Sequence, residues 1–199
     1  MRRIKKNPES PIISEKIAYR KSGNSHLSEI LYEEQNHLCA YTEEYIGRAD
    51  RGDIEHFNPM LKGTLEDGYE NWYLVKSQWN IEKGDTRRWN KFQPLIHPTA
   101  QDFEARILYN NGRYIVADEN DVEAHNLRSY LKLDDEELAK QRVFYIQRMK
   151  SDIILSGLSN QEFIDLRLLM PAYRSTIFYI RAIEEELNIK VDFDLLKTT

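Results

Sequence analysis

What the chain lacks narrows the field first. Its single cysteine, Cys39, excludes an internal disulfide framework and any multi-cysteine zinc knot. No apolar run approaches the ~20 residues needed to span a bilayer. Eight glycines and six prolines are too few for collagen-like or linker-rich sequence, and no repeat or low-complexity segment is present. A basic excess is missing too: 28 Lys and Arg against 33 Asp and Glu give a net charge of −5, which at first sight speaks against a nucleic-acid partner. The start, Met1-Arg2-Arg3-Ile4-Lys5-Lys6, runs into Asn7-Pro8-Glu9-Ser10-Pro11 instead of an apolar signal core, so it reads as a flexible arm and the cytoplasm is the expected compartment.

What is there fits a folded protein: 41% hydrophobic and 31% charged residues over 199 positions, enough to bury a sizeable core. The charge is unevenly spread. Residues 1–97 carry 15 Lys and Arg and 15 Asp and Glu, whereas the remainder carries 13 and 18. Within the balanced part, Lys76, Lys83, Arg87, Arg88 and Lys91 gather in one stretch. Phosphate binding follows local positive charge more than the global sum, so these five are candidate contacts to a nucleic-acid backbone.

Upstream of that stretch lies Asp53-Ile54-Glu55-His56-Phe57-Asn58-Pro59, with Asn71, Asn80 and Lys83 placed 15, 24 and 27 residues after His56. A histidine near its ordinary pKa accepts a proton at neutral pH, which makes His56 the candidate general base. Glu55 and Asn80 offer hard oxygen donors suited to Mg²⁺ or Mn²⁺. The amide of Asn71 is suited to pinning the loop after the strand and so fixing His56, and Lys83 is the candidate phosphate contact. Asp53 is left open, as a group orienting His56 or the metal or as a polar strand residue. Glu55 and His56 are neighbours and point to opposite faces of an extended strand, so they share a site only if the chain breaks there. Phe57-Asn58-Pro59 supplies such a break. Base, hard cation and phosphate contact together are what phosphodiester hydrolysis requires.

Periodicity places these residues on elements. Leu27, Ile30, Leu31 and Leu38 share a helical face, with Ser25 as N-cap. Cys39 to Ile46 reads as a short strand or hairpin arm, Asp53 to Phe57 as a second strand, 61–71 as a loop, and about Asn71 to Lys83 as a helix ended by Gly84. Beyond a boundary loop at Pro94 to Pro98, Asn110-Asn111-Gly112 marks a hairpin between Ala105–Tyr109 and Arg113–Val116. The remainder is helical. Asp134 with Glu137, and Ser159 with Glu162, resemble capping boxes; Gly157 ends the first of these helices and Pro171 interrupts the second. Ile177, Ile180, Ile183 and Leu187 mark a last amphipathic helix. The expected fold class is α+β, a two-strand-and-helix core within a mainly helical protein, divided into a module at 1–97 and a hairpin-and-helix docking region at 98–199. Trp72, Trp79 and Trp89 are read as core residues, His26, His37, His97 and His125 as incidental, and Cys39 as buried.

The segment Leu31 to Gly84 resembles the HNH endonuclease superfamily, in which the order Asp-x-acid-His, Asn, Asn, Lys recurs. The wider set is similar to a narrower group: Cys39-Ala40-Tyr41, Ile54-Glu55-His56-Phe57, Trp79-Asn80-x-x-Lys83-Gly84, Pro94-Leu95-Ile96-His97-Pro98, Gly112, and His125-Asn126-Leu127 through Gln141-Arg142. That group contains the HNH subunit of Septu anti-phage systems and related retron effectors. The resemblance covers roughly two thirds of the chain. It implies a ββα-metal core, His56 as base, Glu55 and Asn80 on one catalytic metal, and a DNA endonuclease acting with an ABC-type, SMC-like ATPase. The chain departs from the pattern where Thr42 stands in place of a second cysteine, so no structural zinc is expected, and where Glu55 replaces the usual aspartate. Two other outcomes stay open: cleavage of RNA or transfer RNA by the same site, and a non-catalytic adaptor. The adaptor would dock its partner through an exposed stripe on Ile177, Ile180, Ile183 and Leu187.

Overall fold

A computed structural model describes residues 1–198. Among them the architecture is mixed α+β and mostly helical, with two small two-stranded antiparallel sheets. Helices α1 (Pro11–Ser14) and α2 (Ser25–Glu34) precede strand β1 (Gly52–His56). Strand β2 (Trp72–Lys76) pairs antiparallel with β1, Glu55 opposite Tyr73 and His56 opposite Trp72, and runs directly into α3 (Ser77–Lys83) and then α4 (Thr86–Lys91). A short α5 (Phe103–Arg106) leads to the hairpin of β3 (Ile107–Asn110) and β4 (Arg113–Val116), followed by α6 (Val122–Tyr130). Helices α7 (Glu136–Ser156), α8 (Asn160–Leu169) and α9 (Ile180–Leu187) follow, and then a 3-10 turn at Phe193–Thr198.

Several expected elements differ. The stretch from Asn71 to Lys83 is not one helix; its first half is β2, because Trp72, Tyr73, Leu74 and Val75 are all buried and aromatic and branched side chains buried on both faces suit a sheet. The two strands of the core are therefore β1 and β2, while 39–46 contributes only an isolated bridge between Leu38 and Tyr45. α2 is capped by Asn24, one residue before Ser25, and α7 by Asp135, whose carboxylate accepts from Leu138 N, instead of by Asp134. The Ser159–Glu162 capping box, the left-handed Gly157 at the end of α7 and the Asn111-Gly112 turn are as expected.

The N-terminal arm is packed, not loose. Ile4 N donates to Pro98 O at 2.9 Å, and Lys6 Nζ donates to Trp72 O while lying 3.9 Å from the Tyr73 ring centroid. Three backbone or cation–π ties in six residues overcome the solvation of a basic stretch. The packing also does not divide at residue 97. One core runs from Met1 through Leu133, joining β1, β2 and α2 to Phe103, Ile107, Tyr114, Leu127 and Tyr130. A second core is built from α7, α8, α9 and Leu38. Ile177, Ile180, Ile183 and Leu187 lie in it, at most 4% exposed, so the stripe expected to dock a partner is spent inside the protein. No helix among the described residues is long and apolar enough to cross a membrane.

Candidate active site

Strand β1 and helix α3 meet through two rungs. Asp53 and Glu55 lie on one face of β1, two residues apart; Asn80 and Lys83 lie on one face of α3, three apart. At the outer rung Asn80 Nδ2 donates to Asp53 Oδ2 at 3.1 Å. At the inner rung Lys83 Nζ donates to Glu55 Oε1 and, at 2.6 Å, to His56 O. Glu55 is 1% exposed, and its other oxygen accepts from the Tyr41 hydroxyl. Burial raises the Glu55 carboxyl against the opposing pull of Lys83, and burial likewise lowers the Lys83 ammonium. Each partner is thus pushed toward its neutral form, and their contact compensates.

This departs from the expected pairing. No hydrogen bond joins Glu55 to Asn80 among the described residues; Asn80 bonds Asp53 instead. Lys83 is not free for a phosphate because it is the internal partner of Glu55. Arg88 is also committed, donating from Nη2 to the carbonyls of Ser129 and Tyr130 at 3.1 Å each. Lys76 pairs with Glu44 at 3.3 Å and Asp50 at 3.7 Å. Arg87 is exposed and pairs with Asp85 at 2.9 Å, and Lys91 is exposed.

On the opposite face of β1, the His56 ring lies edge-on to Tyr19 with centroids 4.5 Å apart. Burial lowers its pKa, opposed by the Asp67 carboxylate, which favours the neutral ring that can accept a proton. Asn71 pins the loop as its residue type suggests. Its Oδ1 accepts from Asn58 N at 2.7 Å and its Nδ2 donates to Asn58 O at 3.1 Å. Asn71 O also accepts from Phe57 N at 2.9 Å, closing the chain just beyond His56.

Four contributors went unread in the sequence. Asp67 brings Oδ2 within 3.1 Å of His56 Nε2. Tyr41 was visible only as part of a cysteine-containing lead-in. Tyr19 and Lys62 line, with Asn24, Ser28, Arg51, Asp53 and Asn80, an open cleft of about 410 Å³ along β1. None of the four carries a local spacing signal. The cleft presents two basic side chains, Arg51 and Lys62, beside the Asp53–Asn80 rung, where the sequence pointed to Lys83 and Arg88.

The donor set can be tested against a hard divalent cation. Neighbouring oxygens of an octahedral Mg²⁺ shell lie about 3 Å apart. The Asp53–Asn80 rung, at 3.1 Å, has that spacing once the Asn80 amide is turned to present its oxygen, and the Asp53 side chain is 22% exposed. Glu55 does not fit in this arrangement, since both its oxygens are engaged. Among the described residues no cluster of three or more His, Cys, Asp or Glu side chains is built to hold a metal. Against known proteins, no family model, no curated protein and no solved structure matches the chain.

Proposed function

We propose that the chain is an HNH-type phosphodiester hydrolase whose β1–β2–α3 unit is a ββα-metal core, and that it acts as a metal-dependent DNA endonuclease. The observation that carries this reading is the placement of the His56 imidazole at the end of β1, with its loop held by Asn71 and with Asn80 on α3 set against an acid of the same strand. In this reading His56 takes the proton of a water as its oxygen attacks phosphorus, and the bond to the 3′-oxygen breaks. A bound Mg²⁺ or Mn²⁺ supplies charge stabilisation at the leaving oxygen; Asp53 and Asn80 are the residues that would hold it. Arg51 and Lys62 orient the strand backbone in the cleft. A neutral N-terminal half binds DNA weakly by itself, which favours delivery by a partner. The ABC-type ATPase suggested by the sequence resemblance is the partner proposed.

The test is plasmid cleavage with Mg²⁺, with EDTA and with His56→Ala, each with and without the ATPase, and a parallel RNA substrate. Metal-dependent nicking lost in the variant supports the proposal. Cleavage retained in His56→Ala overturns the site, and cleavage of RNA alone reassigns the substrate. The sealing of Glu55 favours a second reading, a non-catalytic scaffold, which folded protein inactive on both substrates would support.

A further inference from the structure

We infer that Asp67 is the positioning residue for His56, fixing the imidazole with its proton on Nε2 and leaving Nδ1 as the nitrogen that accepts a proton. The inference rests on the proposed role of His56 as base, but its geometry stands alone. The Asp67 side chain is 5% exposed. Its Oδ1 accepts from Trp72 Nε1 at 2.8 Å and from Asn71 Nδ2 at 3.1 Å. Its Oδ2 accepts from Gly63 N at 3.2 Å and lies 3.1 Å from His56 Nε2. Three hydrogen bonds from three residues other than His56 hold the carboxylate, so its position is set by β2 and the loop and not by the histidine it faces.

The imidazole is the less constrained partner. Nε2 is buried, lies 3.1 Å from Asp67 Oδ2 and has no other polar partner among the described residues. A buried nitrogen at that distance from a carboxylate is stabilised by carrying the proton; as a bare lone pair it would face a negative oxygen. Nδ1 makes no hydrogen bond among the described residues and is not a buried unpartnered atom, so it keeps access to solvent. A neutral imidazole has one donor and one acceptor nitrogen. A carboxylate at Nε2 therefore makes Nδ1 the acceptor, and proton transfer from water ends on Nδ1 with both nitrogens protonated. Asn71 gains a second role here: besides pinning the loop, it donates to the carboxylate that sets the ring.

Nitrogen-edited NMR of the His56 side chain, on the whole chain without metal near pH 7.5, tests this directly. The expected spectrum shows a neutral ring protonated at Nε2. Asp67→Asn should abolish that preference and lower kcat about 10²-fold with KM little changed, and Asp67→Glu should restore part of both. Trp72→Phe removes a different bond of the same carboxylate and should leave the tautomer unchanged, which separates positioning from general loosening of the loop. A wild-type ring protonated at Nδ1, or a tautomer unmoved in folded Asp67→Asn, overturns the inference. Should Asp67→Asn not fold, the wild-type tautomer still decides. The expected tautomer in a protein that cuts neither DNA nor RNA would leave Asp67 in its role and overturn the nuclease reading instead.

Discussion

Glu43 and Glu55 are both buried, 5% and 1% exposed, yet their surroundings treat the same carboxyl in opposite ways. Around Glu43, the Met1 ammonium lies at 3.8 Å and Arg2 Nε at 3.7 Å, while Arg2 N and Arg181 N donate at 2.8 and 3.2 Å. Burial raises its pKa, but these neighbours outweigh it and hold the carboxyl below the ordinary range. Around Glu55 there are Lys83 and Tyr41, with Lys6 further off, and burial wins. Glu43 joins the N-terminal arm, the 39–46 loop and α9, so its charge is a fixed part of the fold. Glu55 depends on one lysine that is itself pushed toward neutrality. A fully compensated buried charge indicates structure; a thinly compensated one next to a candidate site shows where the fold tolerates cost.

The comparison breaks first at Glu43. Glu43→Gln leaves the half-buried Arg2 and the buried Arg142 guanidinium without their anion, and arginine cannot shed its proton, whereas burial already lowers the Met1 amine. A loss of about 3–5 kcal/mol is expected, read as a fall in denaturation midpoint at pH 7. A change under ~1 kcal/mol would remove Glu43 from the centre of the fold.

Glu55→Gln should cost less, about 2 kcal/mol, because burial already lowers the Lys83 pKa and the lysine can go neutral. Lys83→Met alone leaves the carboxylate buried without its cation and should cost a similar amount, while the double variant should return to within ~1 kcal/mol of wild type. Additive losses in this double-mutant cycle would mean that the two side chains do not act as a pair.

The pH dependence separates the two sites by sign. Glu43, with a lowered folded pKa, contributes stability above the unfolded value of about 4.3 that is lost as pH falls through the folded value. Glu55, with a raised folded pKa, contributes stability that is fully present below about 4.3 and lost as pH rises through its folded value. Melting temperatures of wild type and Glu43→Gln across acid to neutral pH should show the acid limb flattened in the variant. The corresponding Glu55→Gln profile should lose a decline on the neutral side instead. Identical profiles for all three would contradict both assignments.

Local chemistry made some of this legible in the sequence. The capping box at Ser159 and Glu162, the Gly157 cap and the Asn111-Gly112 turn each involve residues within four positions of one another. Asn71 as the loop pin was readable because its amide can both donate to and accept from a neighbouring backbone, although the strand that follows it reads as a helix in the sequence. Pairings across elements were not. The register of α3 on β1 decides whether Asn80 meets Asp53 or Glu55, and an offset of two residues on a strand keeps the same face, so the pattern cannot distinguish them. Asp67 sits in a loop where an Asp-Gly pair reads as a turn. The burial of Ile177 and its neighbours depends on α7 and α8 covering them, which amphipathic spacing alone does not reveal.

The smallest expected effect on stability is the most informative about the two rungs. Asp53 is partly exposed beside the cleft, its close partners among the described residues being Asn80 and the exposed Arg51 at 3.4 Å, so Asp53→Asn should change stability by no more than ~0.5 kcal/mol. If the outer rung is the cation site, the same variant should abolish Mn²⁺ binding measured by calorimetry or electron paramagnetic resonance. Glu55→Gln, despite its larger cost in stability, should retain that binding. The reverse result, Mn²⁺ kept in Asp53→Asn and lost in Glu55→Gln, would mean that Lys83 yields its place to the metal and that the inner rung opens. Stability and cation binding would then be set by the same carboxylate, and the open rung would be only its neighbour.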